Sequence, residues 1–151
     1  MRSSAQHLKM NSPYASTDNV YLMQVVRYYH QQLVAHYQQL SAAVPLHLSL
    51  EDVKQRQWGY CDRTLGVQLP SARDSEGGAM RGALQRLGVF KANGRELFRG
   101  CIVIPVFDGN GMLLAIKGKR VATRLPSGKP RWIDWQREAV SASGGMYDQL
   151  D

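Results

Sequence analysis

The stretch that most limits what this chain can fold into runs from Cys101 to Ile116. An apolar run (Cys-Ile-Val-Ile-Pro-Val-Phe) is followed by Asp108-Gly109-Asn110-Gly111 and by a second apolar run, Met112 to Ile116. Two such runs, separated by residues that tolerate positive φ, predict an antiparallel hairpin. The second run leads into Lys117, Lys119 and Arg120, so a rigid sheet would present three cations at its exit. Alternation sets Leu114 and Ile116 on one face with Arg120, and Leu113 and Ala115 on the other with Lys117 and Lys119. Neither face is then purely apolar or purely basic. Gly118, inside the run, predicts a bulge that turns the later side chains toward a different surface.

Charge reinforces the interest of this segment. Of 151 residues, 19 are Lys or Arg and 12 are Asp or Glu, a net charge of +7. Residues 1–80 carry seven basic and six acidic side chains, residues 81–151 twelve and six, so the excess sits in the second half. Lys117, Lys119, Arg120, Arg124, Lys129 and Arg131 follow one another without an intervening acid. Such a density favours phosphate-bearing partners, although a run of this kind also serves as an ordinary solvated face.

The length suits one domain with its own core, and 44% hydrophobic residues can supply it. No stretch approaches the ~20 apolar residues of a membrane span, and Met1 to Asn19 lacks the apolar centre of a signal peptide. A cytoplasmic protein with a loose tail over residues 1–18 is expected, with no membrane partner. Cys61 and Cys101 both lie in or beside apolar sequence, which favours buried thiols over a disulfide.

After the tail, Asp18 can cap a helix in which Leu22, Val26, Tyr29, Leu33, Tyr37 and Leu40 recur at helical spacing, ending before Pro45. A short helix is expected from about Ser49 to Gln57, and an extended piece at Leu65-Gly66-Val67. Ser71 to Gly78 reads as a surface loop. Met80, Ala83, Leu84 and Leu87 then give a helix stopped by Gly88, and Asn93-Gly94 a turn. Beyond the hairpin, Leu125-Pro126-Ser127-Gly128 reads as a turn joining Val121–Arg124 to Arg131–Trp135 as paired strands. Residues 141–151 show no periodicity. The expected fold is α+β: a long N-terminal helix and short helices on a hairpin-built, mainly antiparallel sheet occupying residues 19–140.

Catalytic chemistry is poorly represented. The four histidines and two cysteines never fall at metal-ligand spacing, so no metal site or cofactor is expected. The basic half offers few carboxylates to converge on Mg²⁺, and Lys117-Gly118-Lys119 lacks the rest of a phosphate loop. Cations interleaved with Trp132 and Trp135 instead suit a phosphate backbone with unpaired bases. Core packing is the commoner use of such tryptophans, and alternation lets at most one share the face of Arg131.

Phe98-Arg99, Ile104-Pro105, Asp108, Gly111, Gly118-Lys119-Arg120-Val121 and Pro130-Arg131-Trp132-Ile133 together resemble the N-terminal subdomain of the catalytic core of bacterial DnaG-type DNA primases. That family has the run F-R-x-R-[VI]-x-[FI]-P-I-x-D-x-x-G-x-[VI]-I-[GA]-F-x-G-R, then P-K-Y-[LI]-N. Leu65-Gly66-Val67, Leu84 to Phe90 and Val53 to Arg56 match more loosely, in the same order, so the resemblance covers about residues 20–135. It implies a role in holding nucleic acid, placed on Arg99, Arg120 and Arg131, with Arg56 less closely matched and Lys117 and Lys119 as extra cations. The family's second arginine after Phe is Cys101 here, its Gly after Arg is Gln57, and its Asn is Asp134. The sequence holds no counterpart of the family's zinc ribbon or of its metal-binding Toprim domain.

The resemblance therefore implies a DNA-replication module, from a mobile element or a longer primase, that binds single-stranded DNA or an RNA–DNA hybrid and is not catalytic alone. Two alternatives stand beside it. One is a subunit that completes a nucleotidyltransferase with a separate Toprim-containing chain. The other is an adaptor to a helicase or single-strand-binding protein, with a vestigial groove.

Overall fold

The computed structural model describes residues 13–137. In chain order the elements are α1 (Pro13–Ala35), α2 (Tyr37–Leu40), two 3₁₀ turns (Ser41–Ala43 and Pro45–His47), α3 (Leu50–Arg56), β1 (Gly59–Tyr60), α4 (Leu65–Gln68), α5 (Ser75–Leu87), β2 (Cys101–Phe107), β3 (Leu113–Arg120) and β4 (Trp132–Gln136). The four strands form one antiparallel sheet in the order β1-β2-β3-β4. The fold is α+β, with a long N-terminal helix.

α1 begins at Pro13, ahead of the expected cap at Asp18, because proline at a first helical position has no N–H to leave unsatisfied. Asp18 lies within the helix, 3.9 Å from Arg86 of α5. The rest of the expected N-terminal tail, and all of residues 138–151, lie outside the described residues. α1 ends at Ala35; His36 adopts φ −115° and ψ 20°, which separates off α2.

The apolar stripe of α1 buries Leu22, Val25, Val26 and Tyr29 against Met80, Leu84, Phe90, Phe98, Val103, Leu113, Ile116 and Trp135. A second cluster, Leu33, Val44, Val53, Trp58 and Ile102, joins the end of α1 to α3 and β2. Each fully buried large side chain stabilises by about 1.5–3 kcal/mol, so the helix is held by this stripe rather than by intrinsic propensity. α1 approaches β1 so closely that a Cβ at Gly59 would lie 2.6 Å from the carbonyl carbon of Tyr29.

The short helix α3 forms as expected: the Ser49 hydroxyl accepts from Asp52 N–H, and Gln57 closes the other end in a left-handed conformation. α5 likewise stops at Gly88, with φ 89°. It starts earlier than expected, however, capped by Asp74, so Gly77 and Gly78 are helical. A Cβ at Gly77 would lie 2.1 Å from the Ser71 carbonyl oxygen, and the glycine lets the preceding loop fold back on the helix. Leu65-Gly66-Val67 is a helical turn, not an extended piece. The Asp62 carboxylate accepts from both the N–H and the hydroxyl of Thr64, which turns the chain just before it.

The hairpin forms where expected, but β3 continues to Arg120, so Lys117, Lys119 and Arg120 lie within the ladder rather than beyond it. The bulge also lies elsewhere. Val106 pairs with Ala115 and Phe107 with Leu113, leaving Leu114 as the extra residue. This irregularity returns Leu113 to the buried side with Ile116 and turns Leu114 outward. Gly118 pairs regularly with Val103 and Ile133. It is glycine because a Cβ there would lie 2.4 Å from the Phe98 ring. Val121–Arg124 is not a strand: β4 pairs directly with β3, and the intervening turn closes from Lys129 N–H to the Pro126 carbonyl.

Candidate nucleic-acid interface

The cations expected to act together divide between two faces of the sheet. Cross-strand pairing aligns Ile102, Lys119 and Trp132 in one row and Ile104, Lys117 and Asp134 in the next, on one face. Arg120 is paired with Cys101 and lies on the opposite face, beside Arg131, whose carbonyl accepts the Arg120 N–H. Asp134, distant from Lys117 in sequence, is its direct cross-strand neighbour, so the acid-free run is not an acid-free surface. Lys119 reaches back to the Ala43 carbonyl, 3.4 Å away. Trp132 is 44% exposed whereas Trp135 is buried and donates its indole N–H to the Leu87 carbonyl at 2.6 Å. Arg56 is exposed at the end of α3 and shares no hydrogen bond or ion pair with the other five among the described residues.

Arg120 and Arg131 also work as staples. Arg120 Nε donates to the Pro130 carbonyl at 2.9 Å. Arg131 Nη1 donates to the carbonyls of Arg120, at 2.9 Å, and Ala122, and its Nη2 lies 3.5 Å from the Thr123 carbonyl. Together they draw the connection between β3 and β4 against the sheet end. Neutral carbonyls leave both positive charges uncompensated, and Arg120 keeps its two terminal nitrogens without a protein acceptor among the described residues.

Arg99 and Arg120 are linked through a residue that sequence reasoning missed. Arg63 approaches Gly100 so closely that a Cβ there would lie 3.1 Å from Arg63 Nη2. Burial pushes the Cys101 thiol up to about 11, against the opposing pull of the nearby Arg120 and Arg63 cations. Arg63 has φ 72°, uncommon for a side chain of its size. Its loop is fastened to α1: Gln32 donates to Asp62, and Tyr28 and Thr64 share a hydrogen bond. No local pattern marks Arg63, because only the tertiary contact with α1 aims it.

Arg63, Arg95 and Arg99 converge on a cleft of 230 Å³, lined also by Gly66, Val67, Gly94 and Glu96. Arg95 belongs to a tight reversal in which Phe90 pairs with Glu96 and Gly94 has φ 85°. Glu96 is only 5% exposed, and its carboxylate accepts from Tyr29 Oη at 2.6 Å and from Cys61 Sγ at 3.2 Å. Burial first, then the Glu96 charge, pushes the Cys61 thiol far above its ordinary range, and burial does the same to Tyr29. Both cysteines are buried and free. Arg86 and Asp18 form an ion pair, and among the described residues no His/Cys/Asp/Glu group is arranged to hold a metal and no helix is long and apolar enough to cross a membrane.

No protein-family model and no curated protein sequence matches the chain. Solved structures do. A DnaG primase catalytic domain bound to single-stranded DNA superposes with TM-score 0.61 and 20% identity, over 84% of this chain and 41% of that one. The zinc-binding and RNA polymerase domains of the Aquifex aeolicus primase match with TM-score 0.59 and 18% identity, over 85% and 31%. A Pseudomonas aeruginosa primase domain gives 0.58 and 20%, over 80% and 38%. The chain thus spans 31–41% of the length of these structures. Its fold is that of part of a DnaG-type primase catalytic core.

Proposed function

We propose that this chain is a nucleic-acid-binding module corresponding to the N-terminal subdomain of a primase catalytic core. It holds single-stranded DNA or a primer–template hybrid without reading sequence. The observation that carries this reading is the adjoining pair Arg120 and Arg131 at one end of the sheet, with Arg99 in the turn that leads into β2, none of them in an ion pair among the described residues, on a fold whose solved counterpart binds single-stranded DNA. Guanidiniums fixed by backbone carbonyls lose little entropy when they meet phosphate, and each suits bidentate contact. Lys117, Lys119 and Trp132 form a separate basic and aromatic patch on the other face, with Arg56 outlying. The proposed role is holding a strand rather than nucleotidyl transfer, which needs carboxylates converging on a divalent metal.

Fluorescence anisotropy with labelled oligonucleotides over a salt series tests this reading. Binding should be independent of sequence and fall steeply with salt, and Arg120→Gln should reduce the salt slope by about one. Salt-independent binding, or none at low salt, rejects the reading. A second reading follows from the chain's 31–41% share of the primase structures: a separate Toprim-containing chain completes a primase. Primer synthesis that requires mixing the two chains supports it. Failure to bind oligonucleotides, with retained binding to a helicase or an acidic protein tail, points to the adaptor alternative instead.

A further inference from the structure

The cleft between the Arg63 loop and the Phe90–Glu96 reversal differs in kind from a groove that follows a phosphodiester backbone. Arg63, Arg95 and Arg99 line one 230 Å³ hollow, large enough for a phosphate or diphosphate group and too small for a helix of nucleic acid. None of the three guanidiniums makes an ion pair or a hydrogen bond with another described residue. Glu96 is itself part of the cleft lining, and because its hydrogen-bond donors are neutral it keeps its negative charge there. Glu96 receives Tyr29 and Cys61 on the buried side, and Asp62 receives Gln32 and Thr64. A second arginine staple keeps the floor of the cleft in place: Arg81 Nη2 donates to the Gly66 carbonyl at 2.8 Å and to the Leu69 carbonyl at 3.1 Å.

Three guanidiniums less the Glu96 carboxylate leave a net charge of +2 around one hollow, which overmatches a phosphodiester with its one charge and two free oxygens. A phosphate monoester carries about −1.5 to −2 near pH 7 and offers three acceptor oxygens. Charge and donor number therefore favour a terminal phosphate. Arg63 borders Gly100, just before the Cys101 that pairs with Arg120, so the cleft lies near the end of the sheet that carries Arg120 and Arg131. We infer that Arg63, Arg95 and Arg99 form a binding pocket for a phosphate monoester, either the 5′-phosphate of a strand or that of a free nucleotide. The pocket extends the proposed strand-binding surface without depending on it, since a small phosphate can be tested alone.

Two measurements decide the matter. The first compares oligonucleotides of one sequence with a 5′-phosphate or a 5′-hydroxyl. The phosphorylated strand should bind roughly tenfold more tightly, the order expected for one set of charge-assisted hydrogen bonds. That ratio should fall to one in Arg63→Gln and Arg95→Gln and persist in Lys54→Gln on α3. It should also shrink from pH 7 to pH 5.5, as the monoester loses its second charge. The second measurement titrates inorganic phosphate and adenosine monophosphate against the arginine side-chain NMR signals. Saturable shifts of Arg63 and Arg95 support the pocket even if no oligonucleotide binds, and would then make the free nucleotide its ligand. Equal binding of both strand ends, together with no saturable shift at millimolar phosphate, overturns the proposal.

Discussion

At the scale of single residues, glycines and buried thiols carry the sharpest consequences. A methyl group on Gly118 cannot avoid the Phe98 ring, which sits in the main core beside Cys101. Gly118→Ala should lower unfolding free energy by about 1–3 kcal/mol, the usual cost of overpacking, measured by chemical denaturation. An unchanged midpoint would show that Phe98 moves aside freely. The thiols predict a pH dependence. An unfolded cysteine titrates near ~8.5, whereas folded Cys101 titrates at about 11, so both states hold the proton below pH 8 and the stabilisation is complete there. As pH rises from ~8.5 to 11 the unfolded chain loses its proton first, and stability falls. Cys61 contributes with the same sign. The drop in Tm over this window should be smaller in Cys101→Ala than in the parent chain; parallel curves would remove Cys101 as a cause.

At the scale of elements, the hairpin was legible because alternating apolar runs and an Asp-Gly-Asn-Gly turn are local signals. The position of its bulge was not. A bulge at Leu114 and one at Gly118 both reconcile the alternation, and only pairing with β2 and β4 selects between them. The β3–β4 connection shows the same limit, since Val121–Arg124 has a strand-like composition but is held by guanidinium–carbonyl bonds instead. This gives Arg131 two roles that its variants can separate. Arg131→Ala should release the connection and raise amide exchange over residues 121–130 as well as weaken oligonucleotide binding. Arg131→Lys keeps the charge but cannot bridge three carbonyls, so it should keep much of the affinity while exchange still rises. If both variants leave exchange unchanged, the staple is not what holds the loop.

At the scale of the whole molecule, Glu96 joins parts of the chain far apart in sequence. Its carboxylate connects α1 through Tyr29 and the β1 segment through Cys61 to the reversal that carries Arg95. Tyr29→Phe removes one donor from a buried carboxylate and should cost about 1–3 kcal/mol of global stability. It should also reduce the 5′-phosphate preference, because the Arg95 side of the cleft loses its anchor. A normal phosphate ratio in the destabilised variant would show that the cleft is shaped independently of the core. The same tertiary connections explain why the basic residues divided as they did. Arg99, Arg120 and Arg131 share one end of the sheet, whereas Lys117 and Lys119 emerge through its other face.

By itself the sequence determined the α+β class, the hairpin, the short helix α3, the end of α5 at Gly88, the apolar stripe of α1 and the concentration of positive charge, because each is written in neighbouring residues or short periods. Tertiary structure alone decided which cations share a surface, why Gly118 is glycine, and that Arg63 and Arg95 close a cleft with Arg99. Those outcomes depend on strand register and on contacts between distant segments, and a one-residue change of register exchanges the two faces of a strand without altering any local signal.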